Sequence, residues 1–467
     1  MGVRGVLDGV AASLESEVAA FVREKHVPGV AAGVVLGDEL AWELGWGCAD
    51  LATGRRPDAR TPHMIASMTK PFTGTAIMQL RDQGLLDLDD PVSRHIPELR
   101  PNDTAGLGKV TIRRLLSHES GLMGEPPGTD WGTADYGTID ETLARADEIA
   151  ARIPPNMQCK YSNLGYQLLG EVVARIAGMP YAEYVQQRIF DPLGMTSTSF
   201  APGAELASRC AIGYLPATFA GDFRPAPIVR DYTSEAGLWS TVEDLARWIG
   251  LQFRTDAGEP DGAQILRGAT LAEMQTARYL SDAAWNEAWC ISWYATRRGE
   301  SIWIGHAGML DGFASYAGFL PAQKLGVIVL VNNGVAEPAD LAMRLGEIAA
   351  GVARRPPATP LAAPVPDALR DFPGLYMNER WGMVFRIEIE WRDGALRVVA
   401  PGQTSPPPTL SQTDDRDVFM IAGGRDAGET AVFLRTADGR VRGVRLAYST
   451  LARLEPVEET AGVPAGS

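Results

Sequence analysis

Ser67-Met68-Thr69-Lys70-Pro71-Phe72-Thr73-Gly74-Thr75-Ala76-Ile77-Met78-Gln79-Leu80-Arg81-Asp82-Gln83-Gly84 is the stretch on which the reading of this chain turns. Phe72, Ala76, Ile77 and Leu80 recur at helical spacing and Gly84 stops the pattern, which predicts a helix over 68–83. Pro71 fits its first turn, where amides have no intrahelical acceptor. A serine three residues before a lysine places a hydroxyl and an amine on one helix face. That end of a helix also favours developing negative charge. A lysine held among apolar neighbours is discouraged from carrying its charge and becomes a base toward the hydroxyl. Of 43 basic residues only Lys25, Lys70, Lys109, Lys160 and Lys324 are lysines, so one inside an apolar run needs a reason. Alone, a Ser-x-x-Lys pattern arises readily by chance.

Two triplets further along change its weight. Tyr161-Ser162-Asn163 opens a helix whose stripe is Leu164, Leu168, Leu169, Val172 and Val173, so a phenol and an amide both project from the loop at its start. On its own Asn163 reads as a plain N-cap. His306-Ala307-Gly308 follows a predicted strand, 301–304, where a lone histidine is more often structural than catalytic. Together and in this order, SxxK, YxN and HxG resemble the family of class C β-lactamases, low-molecular-mass penicillin-binding proteins and related esterases. Gly84-Leu-Leu-Asp-Leu-Asp-Asp-Pro91, Leu115-Leu-Ser-His-Glu-Ser-Gly121, Asp191-Pro-Leu-Gly-Met195 and Ala236-Gly-Leu-Trp-Ser-Thr241 extend the resemblance, which covers about residues 5–350.

The resemblance implies a β-lactamase/transpeptidase-like α/β (α+β) fold, an antiparallel sheet flanked by helices with a large helical insertion. It implies Ser67 as the acylated nucleophile, Lys70 as its proton acceptor, and Tyr161 sharing the acid/base work. Asn163 would hold substrate or Lys70, and His306 would line the site and stabilise charge or aid proton transfer. Backbone amides of Ser67 and of Met309, just after Gly308, would form the oxyanion hole. The chain departs from many β-lactamases by having His-Ala-Gly where they carry Lys-Thr-Gly. Ala307 has no hydroxyl for a substrate carboxylate, and His306 replaces a permanent cation with a titratable one. The expected activity is therefore hydrolysis of esters or amides, including D-amino-acid peptides, with weak β-lactam turnover at most. The same acyl-enzyme also suits an acyltransferase or a peptide-cyclising thioesterase. A third reading, a non-catalytic binding protein of the same fold, is disfavoured by the joint presence of Ser67, Lys70, Tyr161 and His306.

Composition agrees with an ordinary soluble globular protein. The chain has 467 residues, 45% hydrophobic and 22% charged, with a formal net charge of −15, which excludes a nucleic-acid partner on the usual basic-face criterion. Cys48, Cys159, Cys210 and Cys290 are scattered and read as free thiols. His26, His63, His95, His118 and His306 include no metal-binding spacing, and neither metal nor cofactor is implied. Rival signatures (GxSxG, GxxxxGK[ST], strand-borne GxGxxG) are absent. Leu7, Val10, Leu14, Val18, Phe21 and Val22 form an amphipathic helix rather than a signal peptide, and no run suits a membrane span, so a cytoplasmic protein is expected.

A hairpin is predicted around Gly37-Asp38, a helix capped by a box at Ser240-Thr241-Val242-Glu243, strands over 314–320 and 326–331, and a helix over 338–353. Organisation is expected as a catalytic region 1–353, a proline-rich linker 354–366, a lipocalin-like β-domain 367–457 and a flexible tail 458–467. In the β-domain, segments 384–390, 395–399, 418–421, 431–434 and 441–446 alternate between turns, as in a small barrel or sandwich. Such a domain covers a groove or builds a subunit interface, and a homo-oligomer is one expectation. Ser67 chemistry is expected to belong wholly to the first region.

Overall fold

Gly37 takes φ 60°, the left-handed conformation a tight turn needs, and joins strand Gly29–Leu36 to strand Glu39–Gly47. The first strand is buried almost throughout and the second is mostly half-exposed, so one lies inside a sheet and the other at its edge. The computed structural model describes residues 7–99, 106–129, 136–216, 222–227, 233–256, 264–282, 284–299, 301–310, 312–350, 365–378, 385–392, 394–400 and 407–454. Among these, eight strands form one antiparallel sheet. Its spatial order is Glu39–Gly47, Gly29–Leu36, Leu325–Val331, Phe313–Leu320, Ser301–Leu310, Tyr294–Arg298, Glu287–Trp289 and Tyr279–Leu280. The early hairpin thus zips onto a strand from the far end of the catalytic region, with Val34 opposite Val327.

The period of two along each strand feeds two cores. Val30, Ala32, Val34, Val327 and Val329 face the helices Ala11–Lys25 and Pro338–Ala349, meeting Leu14, Val18, Phe21, Leu341 and Leu345. Ala31, Val35, Ile328 and Leu330 face the helical insertion. There Phe72 stacks on Trp248 at 4.1 Å between ring centroids. Burying such a side chain stabilises by about 1.5–3 kcal/mol, so the helix carrying it is anchored by its apolar face. These layers give the β-lactamase/transpeptidase-like fold that the sequence implied.

Four local readings are corrected. The helix after Ser67 is Lys70–Asp82, and Ser67 itself lies on a short 3₁₀ turn, Ala66–Thr69. Helix Asn163–Ala177 is capped by Ser162, whose Oγ accepts from the Gly165 amide, not by Asn163. Helix Val242–Gln252 is capped by Thr241, accepting from the Asp244 amide, one residue later than the predicted box. His306-Ala307-Gly308 lies within strand Ser301–Leu310 rather than after it.

Past the catalytic region a closed antiparallel barrel of eight strands stands among the described residues: Gly374–Asn378, Phe385–Arg392, Ala395–Val399, Thr409–Gln412, Val418–Ala422, Thr430–Arg435, Val441–Leu446 and Ser449–Arg453. Tyr376 pairs with Arg453 to close it. Phe372, Tyr376, Phe419 and Phe433 pack inside. Residues 354–364 of the expected linker and the expected tail 458–467 lie outside the described residues. No described helix is long and apolar enough to cross a membrane.

Candidate active site

Ala66 has φ 47°, unusual for a residue with a Cβ, and this kink sets up the turn that presents Ser67. The turn is clamped from two sides. Thr69 Oγ1 donates to the Ala66 carbonyl at 2.7 Å and accepts from the Leu238 amide at 3.1 Å. Strand Ser301–Leu310 passes so closely that a Cβ on Gly308 would lie 2.0 Å from the Ile65 carbonyl oxygen. Only glycine permits that approach. Ser315 Oγ then donates to the same carbonyl at 2.8 Å.

Lys70 is fully buried beneath Ser67. As an ammonium its Nζ donates to Ser67 Oγ at 3.1 Å, to Asn163 Oδ1 at 2.7 Å and to the Glu235 backbone carbonyl at 2.8 Å; the neutral amine keeps two of these donations and turns its lone pair to Ser67 Oγ. Burial holds its ammonium well below the ordinary lysine range; the Glu235 carboxylate opposes this and Arg425 adds to it. Because Ser162 takes the capping role, the Asn163 amide is left for the site. Its Nδ2 donates to both oxygens of buried Glu125, at 2.9 and 3.2 Å.

Tyr161 and Ser67 are hydrogen-bonded through their side chains, and burial pushes the phenol up, so it keeps its proton. Its ring lies 4.8 Å from Lys70 Nζ and stacks on His118 at 4.2 Å. His118 Nδ1 accepts from the Ser162 amide at 3.1 Å, and burial keeps that ring well below the ordinary histidine range. His306 is buried on the site face of its strand, with Nδ1 2.6 Å from the Ala307 carbonyl. Burial, aided by the Lys70 charge, pushes it down to about 3. The expected titratable cation is therefore a neutral imidazole at neutral pH. Trp289 bridges it to Tyr161, with ring centroids 6.0 Å from His306 and 5.7 Å from Tyr161. Ala307 packs toward the terminal-helix core, so its lack of a hydroxyl is not what shapes this site.

Three charged groups escaped the sequence reading. Glu235 is fully buried and accepts from the Thr233 amide at 3.2 Å, with burial pushing its carboxyl up. It immediately precedes a motif that the sequence did offer, Ala236-Gly-Leu-Trp. Glu125 sits in a loop with no periodic signal. Arg425 arrives from the barrel.

The barrel roofs the site. A cavity of about 320 Å³ is lined by Ser67, Asn163 and Met309 below and by Ile387, Val398, Ile421, Leu446 and Leu451 above. Tyr448 Oη accepts from the Gly124 amide at 3.3 Å and donates to Glu429 at 2.8 Å. Glu429 also pairs with the fully buried Lys160 at 3.3 Å. Arg425 forms an ion pair with Glu125 and lies over the Tyr161 ring, 5.5 Å from its centroid.

Ser67, Lys70, Tyr161 and Asn163 thus converge directly, with His306 linked through Trp289, and Gly308 and Met309 bordering Ser67. A nucleophile, a lysine depressed by burial and a neutral phenol in contact are equipped for acyl transfer. Comparison with known proteins places the chain in a family. Protein flp of Staphylococcus aureus (strain MRSA252) is 30% identical over 315 residues, covering 67% of this chain and 60% of that protein. The chain therefore matches only about three-fifths of the length of that relative. Penicillin-binding protein 4 of Amycolatopsis lactamdurans is 31% identical over 374 residues, covering 76% of this chain and 94% of that one. The octameric penicillin-binding protein homologue from Pyrococcus abyssi superposes with a TM-score of 0.64 at 24% identity, covering 95% of this chain and 99% of that one. The Beta-lactamase family model matches residues 14–350, and the chain belongs to that family.

Proposed function

We propose that the protein is a serine hydrolase that works through a Ser67 acyl-enzyme on ester or amide bonds. The observation that carries this is Lys70 Nζ at 3.1 Å from Ser67 Oγ, buried and with its ammonium disfavoured. Neutral Lys70 accepts the Ser67 proton as Oγ attacks the acyl carbon. The oxyanion faces the backbone amides of Ser67 and Met309. The carbon–leaving-group bond then breaks as Tyr161 delivers a proton to the departing atom and is reprotonated by the proton that Lys70 took from Ser67, so both groups end neutral. Water repeats the sequence in reverse roles and frees Ser67. His306, uncharged, orients Trp289 and Tyr161 rather than holding an anion. With no cation at that position, a lactam carboxylate lacks a partner there, so nitrocefin is expected to be a poorer substrate than short p-nitrophenyl esters.

A second reading has a specific support. The cavity above Ser67 is roofed by aliphatic side chains of the barrel, with Arg425, Asp426, Tyr448 and Ser449 at its polar side, and such a roof restricts water. The acyl group then passes to an amine or alcohol, as in an acyltransferase or a peptide-cyclising thioesterase. In either reading residues 1–353 form the catalytic region and 367–457 the roofing domain. The octameric Pyrococcus homologue makes self-association of this chain an expectation, measurable by light scattering. The deciding experiment is mass spectrometry after a small fluorophosphonate. The adduct should fall on Ser67 and vanish in Ser67→Ala, and a panel of esters and peptidyl thioesters with and without added amine separates hydrolysis from transfer. An adduct elsewhere, or undiminished turnover by Ser67→Ala, defeats the proposal.

A further inference from the structure

The proposed acyl-enzyme chemistry uses Ser67, Lys70, Tyr161 and Asn163, yet Asn163 is held in turn by a residue with no evident role. Glu125 has no exposed surface, and both its oxygens face the Asn163 amide nitrogen. An amide dipole is not a counter-charge, and a buried carboxylate without one is strongly disfavoured. Lys70 cannot serve, since its Nζ contacts Ser67, Asn163 and the Glu235 carbonyl rather than Glu125, and as the neutral base it carries no charge. Lys160 is taken by Glu429. The cation that meets Glu125 is Arg425, from the barrel.

The placement of Arg425 is itself built. It follows Gly424 and precedes Gly428, with φ of 70° and 81°, so the segment turns sharply between two strands. Gly428 lets the turn sit against Ile153, where a Cβ would lie 2.5 Å from Ile153 Cγ2. Lys160 Nζ reaches the Arg425 carbonyl at 3.5 Å, and Tyr448 and Glu429 fix the neighbouring docking contact. The guanidinium is thereby delivered to Glu125, with Asp426 as a second carboxylate 3.9 Å from its Nε, and laid over the Tyr161 ring, 5.5 Å from its centroid.

We propose that Arg425 is a positioning residue for the catalytic centre: it neutralises Glu125, Glu125 orients Asn163, and Asn163 holds Lys70 against Ser67. The catalytic region is therefore incomplete without the docked barrel, from which Arg425 acts through Glu125 and Asn163. This goes against the expectation that Ser67 chemistry belongs wholly to the first region. It rests on the acyl-enzyme reading above and adds a residue to it.

The test uses the full-length chain and a small fluorophosphonate without a carboxylate, so that substrate recognition in the barrel cavity is not read. Arg425→Met should slow Ser67 labelling about 100-fold, the scale of effect expected from misplacing a catalytic group by about 1 Å. Glu125→Gln/Arg425→Met should recover to within about tenfold of the unmodified protein, because a neutral amide still accepts from Asn163 and needs no counter-charge. That double variant also serves if Arg425→Met alone fails to fold by circular dichroism. Labelling of Arg425→Met at the unmodified rate overturns the proposal, and so does a double variant no faster than Arg425→Met. Loss confined to the KM of carboxylate-bearing substrates overturns it as well, assigning Arg425 to the substrate instead. If the unmodified protein is not labelled at Ser67, the acyl-enzyme reading fails and takes this inference with it.

Discussion

Lys70 and His306 are the two candidate bases in the Ser67 site, and burial drives both toward their neutral forms. Lys70 is held down by burial, and His306 is pushed down to about 3. Only the lysine is in contact with Ser67 Oγ. A base must be deprotonated to act, so kcat/KM for a short ester should rise with pH through the Lys70 titration and then level off. His306 is already neutral over that range and cannot supply the limb. His306→Asn should therefore lower the plateau about tenfold through Trp289 and Tyr161 while leaving the limb in place. A limb that moves by a full unit in His306→Asn would reassign the base. Lys70→Ala should lose nearly all turnover, since nucleophile and base act as a unit. At this scale the sequence was readable where chemistry repeats as a spaced pattern: Ser67 with Lys70, Tyr161 with Asn163, His306 with Gly308. Glu125, Glu235 and Arg425 were not, because a single charged residue in a loop looks like any solvated one until its burial is known.

The elements show a different division. Strands and helices with clear periods stood where the sequence put them, including Gly29–Leu36, Asn163–Ala177 and Phe313–Leu320. The strand carrying His306 was read too short, because Gly305 and Gly308 interrupt its alternation. Those glycines are there for close approach rather than for a turn. A Cβ at Gly305 would lie 2.5 Å from the Tyr316 hydroxyl, and at Gly308 2.0 Å from the Ile65 carbonyl oxygen. In the barrel, Gly374–Asn378, Thr409–Gln412 and Ser449–Arg453 were missed as strands of four or five residues beside glycine, proline or polar turns. Only closure of the barrel makes them necessary. Gly308→Ala tests the close approach directly. The added methyl meets backbone, which cannot swing aside, so the Ser67 turn must shift. The variant should fold, by circular dichroism, but label at Ser67 at least about 100-fold more slowly. Ser67 labelling at the unmodified rate would show that the strand and the turn are not clamped to each other.

On the scale of the whole molecule, a barrel and a layered catalytic body keep separate hydrophobic cores and meet, among the described residues, over the Ser67 cavity and at a buried polar patch beside it. They also differ in what they titrate. All five histidines lie in the catalytic region, and His63, His118 and His306 are buried there. Burial pushes His63 down to about 4 and His306 to about 3, and holds His118 well below the ordinary range. A group whose pKa is depressed on folding stabilises fully above its unfolded value, near 6.5. That stability drains as pH falls toward the folded value, because the unfolded chain takes up protons the native one refuses. At pH 5.5, one unit below the unfolded value, each histidine has given up about 1.4 kcal/mol, or about 4 kcal/mol for the three. Glu235, whose carboxyl is raised by burial, works in the opposite direction and offsets only part of this. The barrel has no histidine. Native-state hydrogen exchange, corrected for intrinsic rates, should therefore show the slowest amides of strands Gly29–Leu36 and Leu325–Val331 losing protection between pH 7 and 5.5. Those of Phe385–Arg392 and Val441–Leu446 should hold theirs. Parallel loss in both sets would mean that the docking patch, with Arg425 on Glu125 and Lys160 on Glu429, fuses the two cores into one cooperative unit.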